Sequence, residues 1–115
     1  MRITGITFLG TRTDARPEMA AFLRDVLGLS PAAPTAGMDA EVFNLADGSS
    51  FAVTSADPGD DARTIGLSVD DIDEAWDRLR AAGVWTDDEV STNDRFRYVH
   101  FRAPDGQLYE LVEER

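Results

Sequence analysis

Few side chains in this sequence can do chemistry. His100 is its single histidine, and it holds neither cysteine nor lysine. Without a thiolate there is no Cys nucleophile, no disulfide framework and no Cys-based zinc site, and without an ε-amine there is no Schiff base. No Gly-rich phosphate loop and no Ser-His-Asp set is present. What remains is one imidazole, in the segment FRYVHFR at 96–102, and a surplus of carboxylates: 22 Asp and Glu against 11 basic residues, a formal net charge of -11. His100 invites a role as general base or metal ligand.

That charge argues against nucleic acid, whose phosphates need a basic stripe. A cationic or neutral ligand suits the field better than an anionic one, while the same acidity also keeps a small protein in solution. With 115 residues and 43% hydrophobic content, the chain has the material for one compact domain with a real core. The opening MRITGITFLGTRT lacks a basic region followed by a sustained apolar run, and no apolar stretch reaches membrane-spanning length. The expectation is a cytoplasmic protein with no membrane partner.

The elements that must position these groups are legible in order. Ile3 to Leu9 reads as a strand, which Gly5 and Gly10 interrupt, followed by a polar turn over 11–16. Pro17 suits a helix start, Met19, Phe22, Leu23, Val26 and Leu27 recur at helical spacing as an apolar stripe, and Gly28 supplies a left-handed stop. After the Pro- and Ala-rich connection 30–38 come short strands over 40–45 and 50–55 around Asp47-Gly48. Residues 56–62 read as a linker. Thr64 to Val69 is a strand, and Asp71 with Glu74 three residues later makes a capping-box-like start for a helix whose stripe is Ile72, Ala75, Trp76, Leu79 and Ala82. A short strand over 85–90 and a closing hairpin, 95–102 with 107–113 across Ala103-Pro104-Asp105-Gly106, complete the chain.

The order strand, helix, glycine, strands therefore occurs twice. In RITGITFLGTRTDARPEMAAFLRDVLGL, TIGLSVDDIDEAWDRLRAAGV and FRYVHFRAPDGQLYELVE the chain resembles the vicinal-oxygen-chelate superfamily, which contains glyoxalase I, bleomycin-resistance proteins, fosfomycin-resistance enzymes and extradiol dioxygenases. The resemblance covers nearly the whole chain. It implies an α+β fold in which two βαβββ modules, about 1–56 and about 63–115, form a curved mixed sheet around a cavity.

In metal-dependent members a His or Gln comes from the first strand of one half, another from the equivalent strand of the second half, and a Glu from the closing strand. Carried onto this chain by short motifs, those positions fall on Gly5, Thr64 and Glu110. One carboxylate leaves a divalent ion mostly to water, so the expectation is no metal or other cofactor, with a divalent ion as the alternative. The cavity implied by the resemblance is lined by Gly5, Thr7, Thr64, Gly66, Arg97, Val99, Phe101, Leu108 and Glu110. If Arg102 pairs with Gln107 across a four-residue loop, Val99 faces Glu110 and His100 faces Tyr109, so His100 turns away from the cavity toward the helices. Arg97 then shares a face with Glu110 and can pair with it, and Glu110 is a proton shuttle, an ion-paired carboxylate or a ligand contact. Trp76 is expected in the core and Trp85 at the cavity rim or a dimer contact. Phe43, Phe51 and Phe96 come from strands that line or back the cavity, where they are core by default and a stacking surface by hypothesis.

Three functional readings follow. The first is a metal-free homodimeric protein that binds a small organic molecule, cationic or aromatic, in the manner of the bleomycin-resistance branch. The second is a lyase, isomerase or dioxygenase using a divalent metal. The third is a metal-free acid–base enzyme relying on Glu110.

Overall fold

The computed structural model describes residues 1–115, and it is built around one mixed eight-stranded sheet. The first half runs β1 (Ile3–Thr13), α1 (Arg16–Ala21), a π-helical turn (Phe22–Val26), β2 (Ser30–Pro31), β3 (Glu41–Asn44) and β4 (Ser50–Ser55). The second runs β5 (Ala62–Val69), α2 (Ile72–Ala81), β6 (Ser91–Thr92), β7 (Phe96–Arg102) and β8 (Leu108–Glu114). The order across the sheet is β2-β3-β4-β1-β5-β8-β7-β6. In each half the first strand lies parallel to the last, β1 beside β4 and β5 beside β8, and the halves meet where β1 runs antiparallel to β5. The sheet is curved and unclosed, an α+β arrangement of two similar units.

Both helices pack on the convex face. Asp71 caps α2 by accepting the Glu74 backbone N–H at 3.1 Å, satisfying one of the helix's orphan donors. Its buried face, Ile72 and Ala75, meets Val69, Val99 and Leu111 in one core cluster. Ala20 and Leu23 meet Phe43 and Val53 in a second. Trp76 is half-buried against the first cluster and donates its ring N–H to the Thr86 hydroxyl at 3.1 Å.

Three expectations change. β1 continues to Thr13 instead of ending at Leu9, because β4 and β5 flank it on both sides and their ladders hold the polar Thr11-Arg12-Thr13 extended. The first helical stripe does not stay on one face. At Leu27, whose N–H reaches back to the Phe22 carbonyl, the turn widens to π geometry, and Phe22, Val26 and Leu27 are left exposed while Leu23 is buried. The segment 85–90 is not a strand; it touches β7 at a single bridge, Thr86 with Phe101, before the short β6.

Candidate functional site

The concave face of the sheet encloses a trough of about 1170 Å³. Strand alternation decides what enters it, and in the last hairpin the register differs from the four-residue-loop expectation. Arg102 pairs with Leu108, not Gln107, so His100 stands opposite Glu110 and Val99 opposite Leu111. The loop carries one residue more. It is closed by the Gly106 N–H on the Ala103 carbonyl, with Gly106 at a φ of 79°, and by Asp105, which accepts from the Gln107 N–H and the Tyr109 hydroxyl. A one-residue shift turns every side chain of a strand to the other face. Val99 and Phe101, expected in the cavity, therefore pack under α2. Arg97 also leaves the cavity: it binds Asp73 of α2 at 3.0 Å and Glu113 at 3.4 Å, and has no bond to Glu110. His100, expected to face the helices, lines the trough instead.

Of the other expected positions, Gly5, Thr7, Thr64, Leu108 and Glu110 do line the trough. Thr7 shares a hydroxyl–hydroxyl hydrogen bond with Ser68 of β5. Gly66 is buried beneath the ring of Phe8 and does not reach the open space. Phe96 lines the trough, whereas Phe43 and Phe51 belong to the convex core.

A row of residues crosses the sheet through its ladders: His100, Glu110, Gly66, Phe8, Ser50, Asn44. At one end His100 is held between two carboxylates. Nδ1 lies 2.8 Å from Oδ2 of Asp87 and Nε2 lies 3.2 Å from Oε2 of Glu110. The same Asp87 oxygen accepts the His100 backbone N–H at 2.9 Å. Glu110, aided by Asp87, raises the imidazole pKa to about 9 against the opposing effect of burial. At neutral pH the ring is therefore an imidazolium, hydrogen-bonded through Nδ1 to Asp87 and ion-paired through Nε2 with Glu110, and its one positive charge faces two carboxylate side chains.

At the centre of the row the ring of Phe8 lies across two glycines. The edge bearing Cδ1 and Cε1 occupies the space where a Cβ on Gly66 would stand, and Cε2 of the opposite edge would lie 3.1 Å from a Cβ on Gly10. Two bare Cα positions thus let a phenyl ring rest on the sheet floor. Phe8 and Asp87 escaped the reading of the sequence, where Gly10 reads as a break in the first strand and not as part of a site. A glycine inside a strand of each half is a signal of close approach; Asp87 left no signal, because the loop after α2 folds back onto β7 only in the tertiary structure.

The two-fold relation between the halves identifies equivalent positions. Phe8 pairs with Gly66 and Gly10 with Thr64, while Gly10 adjoins Ala52 of β4 and Gly66 adjoins Glu110 of β8. Exchanging β1 with β5 therefore exchanges Phe8 with Thr64 and Ala52 with Glu110. Phe8 also precedes the first helix cap, Ala15, by the same interval as Thr64 precedes the second, Asp71. The residue equivalent to Thr64 is thus Phe8, and the assignment of that position to Gly5 is corrected: Gly5 pairs with Ser68, farther along the ladder.

Residues 5–111 match the family model described as Glyoxalase/Bleomycin resistance protein/Dioxygenase superfamily. The chain belongs to this superfamily. No curated relative matches it by sequence. Among solved structures, methylmalonyl-CoA epimerase from Mycobacterium tuberculosis superposes with a TM-score of 0.80 at 18% identity, over 96% of this chain and 88% of that one. The Mn(II)-bound glyoxalase from Novosphingobium aromaticivorans gives 0.78 at 24% identity, over 97% of this chain and 39% of that one. A halotolerant catechol dioxygenase gives 0.71 at 22% identity, over 96% and 39%. At such identities the likeness is one of fold.

Against the superfamily's metal chemistry, the four central positions carry Phe8, Ala52, Thr64 and Glu110. A phenyl and a methyl donate nothing, and a neutral hydroxyl is a poor ligand for a first-row ion. One oxygen of the sole carboxylate is engaged by an imidazolium. Asp87 and Glu110 cannot share a cation with His100 either, since they bind opposite nitrogens of its ring, and no three His, Asp or Glu side chains converge on one point. The residues present do not fit a resident divalent metal.

Proposed function

We propose that this member of the glyoxalase/bleomycin resistance/dioxygenase superfamily is a metal-free protein that binds a small organic molecule in its trough. The observation that carries the reading is the central donor set, in which Phe8 stands at one first-strand position and Thr64 at the other, leaving Glu110 as the one ionisable group. The ligand is cationic or aromatic: the net charge of -11 and the surplus negative charge of the Asp87–His100–Glu110 cluster favour a positive group, and Phe8 offers an apolar surface. The test is metal analysis of purified, dialysed protein beside a thermal-shift screen of divalent ions and small cationic aromatics. Stoichiometric metal that survives dialysis overturns the reading; stabilisation by organic cations and not by ions supports it.

A second reading, a metal-free acid–base enzyme, is favoured by the Glu110–His100 contact. A carboxylate beside an imidazole in a trough can accept a proton, with Asp87 fixing the imidazole. Turnover lost on Glu110→Gln with ligand affinity retained distinguishes it from binding alone.

The protein acts as a homodimer in the cytoplasm under this proposal. No helix is long and apolar enough to cross a membrane. The 12.6 kDa chain exposes 7119 Å², whereas a folded monomer of that mass exposes roughly 6200 Å². The surplus of about 900 Å² is close to the ~800 Å² that one partner contributes to a standard interface. Exposed Phe22, Val26 and Leu27 on the π-turn and Ile3 and Ile6 on β1 supply the apolar material. Light scattering that returns the monomer mass at micromolar concentration counts against it.

A further inference from the structure

We infer that Phe8 and Glu110 together form a seat for a planar nitrogen cation of the aryl amidinium or guanidinium class, stacked on the phenyl ring and donating N–H to Oε1 of Glu110. The inference rests on the metal-free binding reading and specifies its ligand. One face of the Phe8 ring is against the backbone at Gly10 and Gly66, and the half-buried ring lines the trough. That free face carries the negative lobe of the ring quadrupole, which attracts a cation and accepts a stacked planar group. Gly66 is the ladder neighbour of Glu110, so the ring that covers Gly66 and the Glu110 side chain occupy adjacent positions on the trough face of the sheet.

Glu110 has an acceptor to offer. Oε2 is taken by His100, and Oε1 has no partner in the protein, while the side chain is 13% exposed and lies on the trough wall. Because Asp87 and Glu110 together outweigh the one imidazolium between them, the cluster is still short of a positive charge. A planar N–H cation supplies the charge to the carboxylate and a flat face to the ring in one group. Around the seat, Ala52, Thr64 and Ser68 are small and leave room above the floor. The trough's other cations are Arg12 and Arg95; Arg95 is paired to Glu114 at 3.8 Å, and Arg12 extends from β1 beyond Gly10.

Calorimetric titration of the EDTA-dialysed full chain with benzamidine, benzamide and benzoate tests this. These probes share size and ring and differ in charge. Benzamidine is expected to bind about tenfold tighter than benzamide, with benzoate weakest. Glu110→Gln is expected to erase the advantage of benzamidine over benzamide. Phe8→Leu should weaken both by about three- to tenfold and leave the preference for the cation in place. Melting temperatures report whether each variant is folded; if Phe8→Leu is not, the charge series and Glu110→Gln decide. Benzamidine no tighter than benzamide, benzoate preferred, no binding of any probe at millimolar concentration, or unchanged affinities in both variants overturns the inference. Metal retained after dialysis retires the metal-free reading itself, whereas failure of benzamidine on metal-free protein retires only this seat.

Discussion

Phe8 and Gly66 face each other across the β1–β5 ladder, and the phenyl ring fills the space that any side chain at residue 66 would need. The pair joins the two halves of the chain at the floor of the trough. The position that could hold a metal ligand is instead the foundation of an apolar surface.

This relationship predicts a coupling. Gly66→Ala puts a methyl into the ring, and displacing the ring is expected to cost about 1–3 kcal/mol. In a Phe8→Ala background the ring atoms that crowd residue 66 are gone and the same change should cost less, so the double-mutant cycle should return a coupling of about 1 kcal/mol or more. Urea denaturation of the four proteins measures it. Additive effects would show that the ring does not depend on the bare glycine.

His100 predicts a pH dependence. Its folded pKa of about 9 lies above the ordinary histidine value, so the imidazolium's stabilisation is fully present below about pH 6.5 and is lost as pH rises through about 9. The gap corresponds to roughly 3 kcal/mol without screening; the side chain is 31% exposed, and about 1–2 kcal/mol is the expected loss after solvent screening. His100→Gln should flatten the stability profile across that window. A parent profile already flat from pH 6 to 10 would contradict the two-carboxylate clamp.

Glu110→Gln separates structure from function. The amide keeps shape but leaves the imidazolium with Asp87 alone, and about 1 kcal/mol of stability at pH 7 is expected to go, with little loss above pH 10, where the imidazole is neutral. Ligand affinity is expected to fall sharply at both pH values. A variant with reduced melting temperature and full affinity would make Glu110 a structural partner of His100 and nothing more.

Restoring donors tests the equivalence of Phe8 with Thr64. The double substitution of Phe8→His and Thr64→His puts two imidazoles beside Glu110, enough for a three-ligand site. Calorimetric titration with zinc or nickel should show binding at least about tenfold tighter than the parent's. The matched control, Gly5→His with Thr64→His, should gain nothing comparable. Equal gains in the two constructions would remove the two-fold argument.

Local sequence determined most of the framework. Asp71 with Glu74, Asp47-Gly48 and the stripe from Ile72 to Leu79 state their structure within a few residues, because capping, turn conformation and helical periodicity are short-range effects. The doubled order of elements was legible as well, and the curved sheet was implied by the resemblance of its motifs to the superfamily. The site was another matter. Whether His100 or Val99 enters the trough depends on one residue of loop length before Leu108, and the dipeptides that signal a turn do not specify the register that results. Arg97 was drawn away by Asp73, a partner contributed by α2 from across the core. Asp87 reaches His100 from a loop 13 residues away in the chain, and the Phe8 ring finds its seat only where the two halves meet. Contacts between distant segments are set by packing of the whole sheet and its helices, so tertiary structure alone decided which groups share the trough.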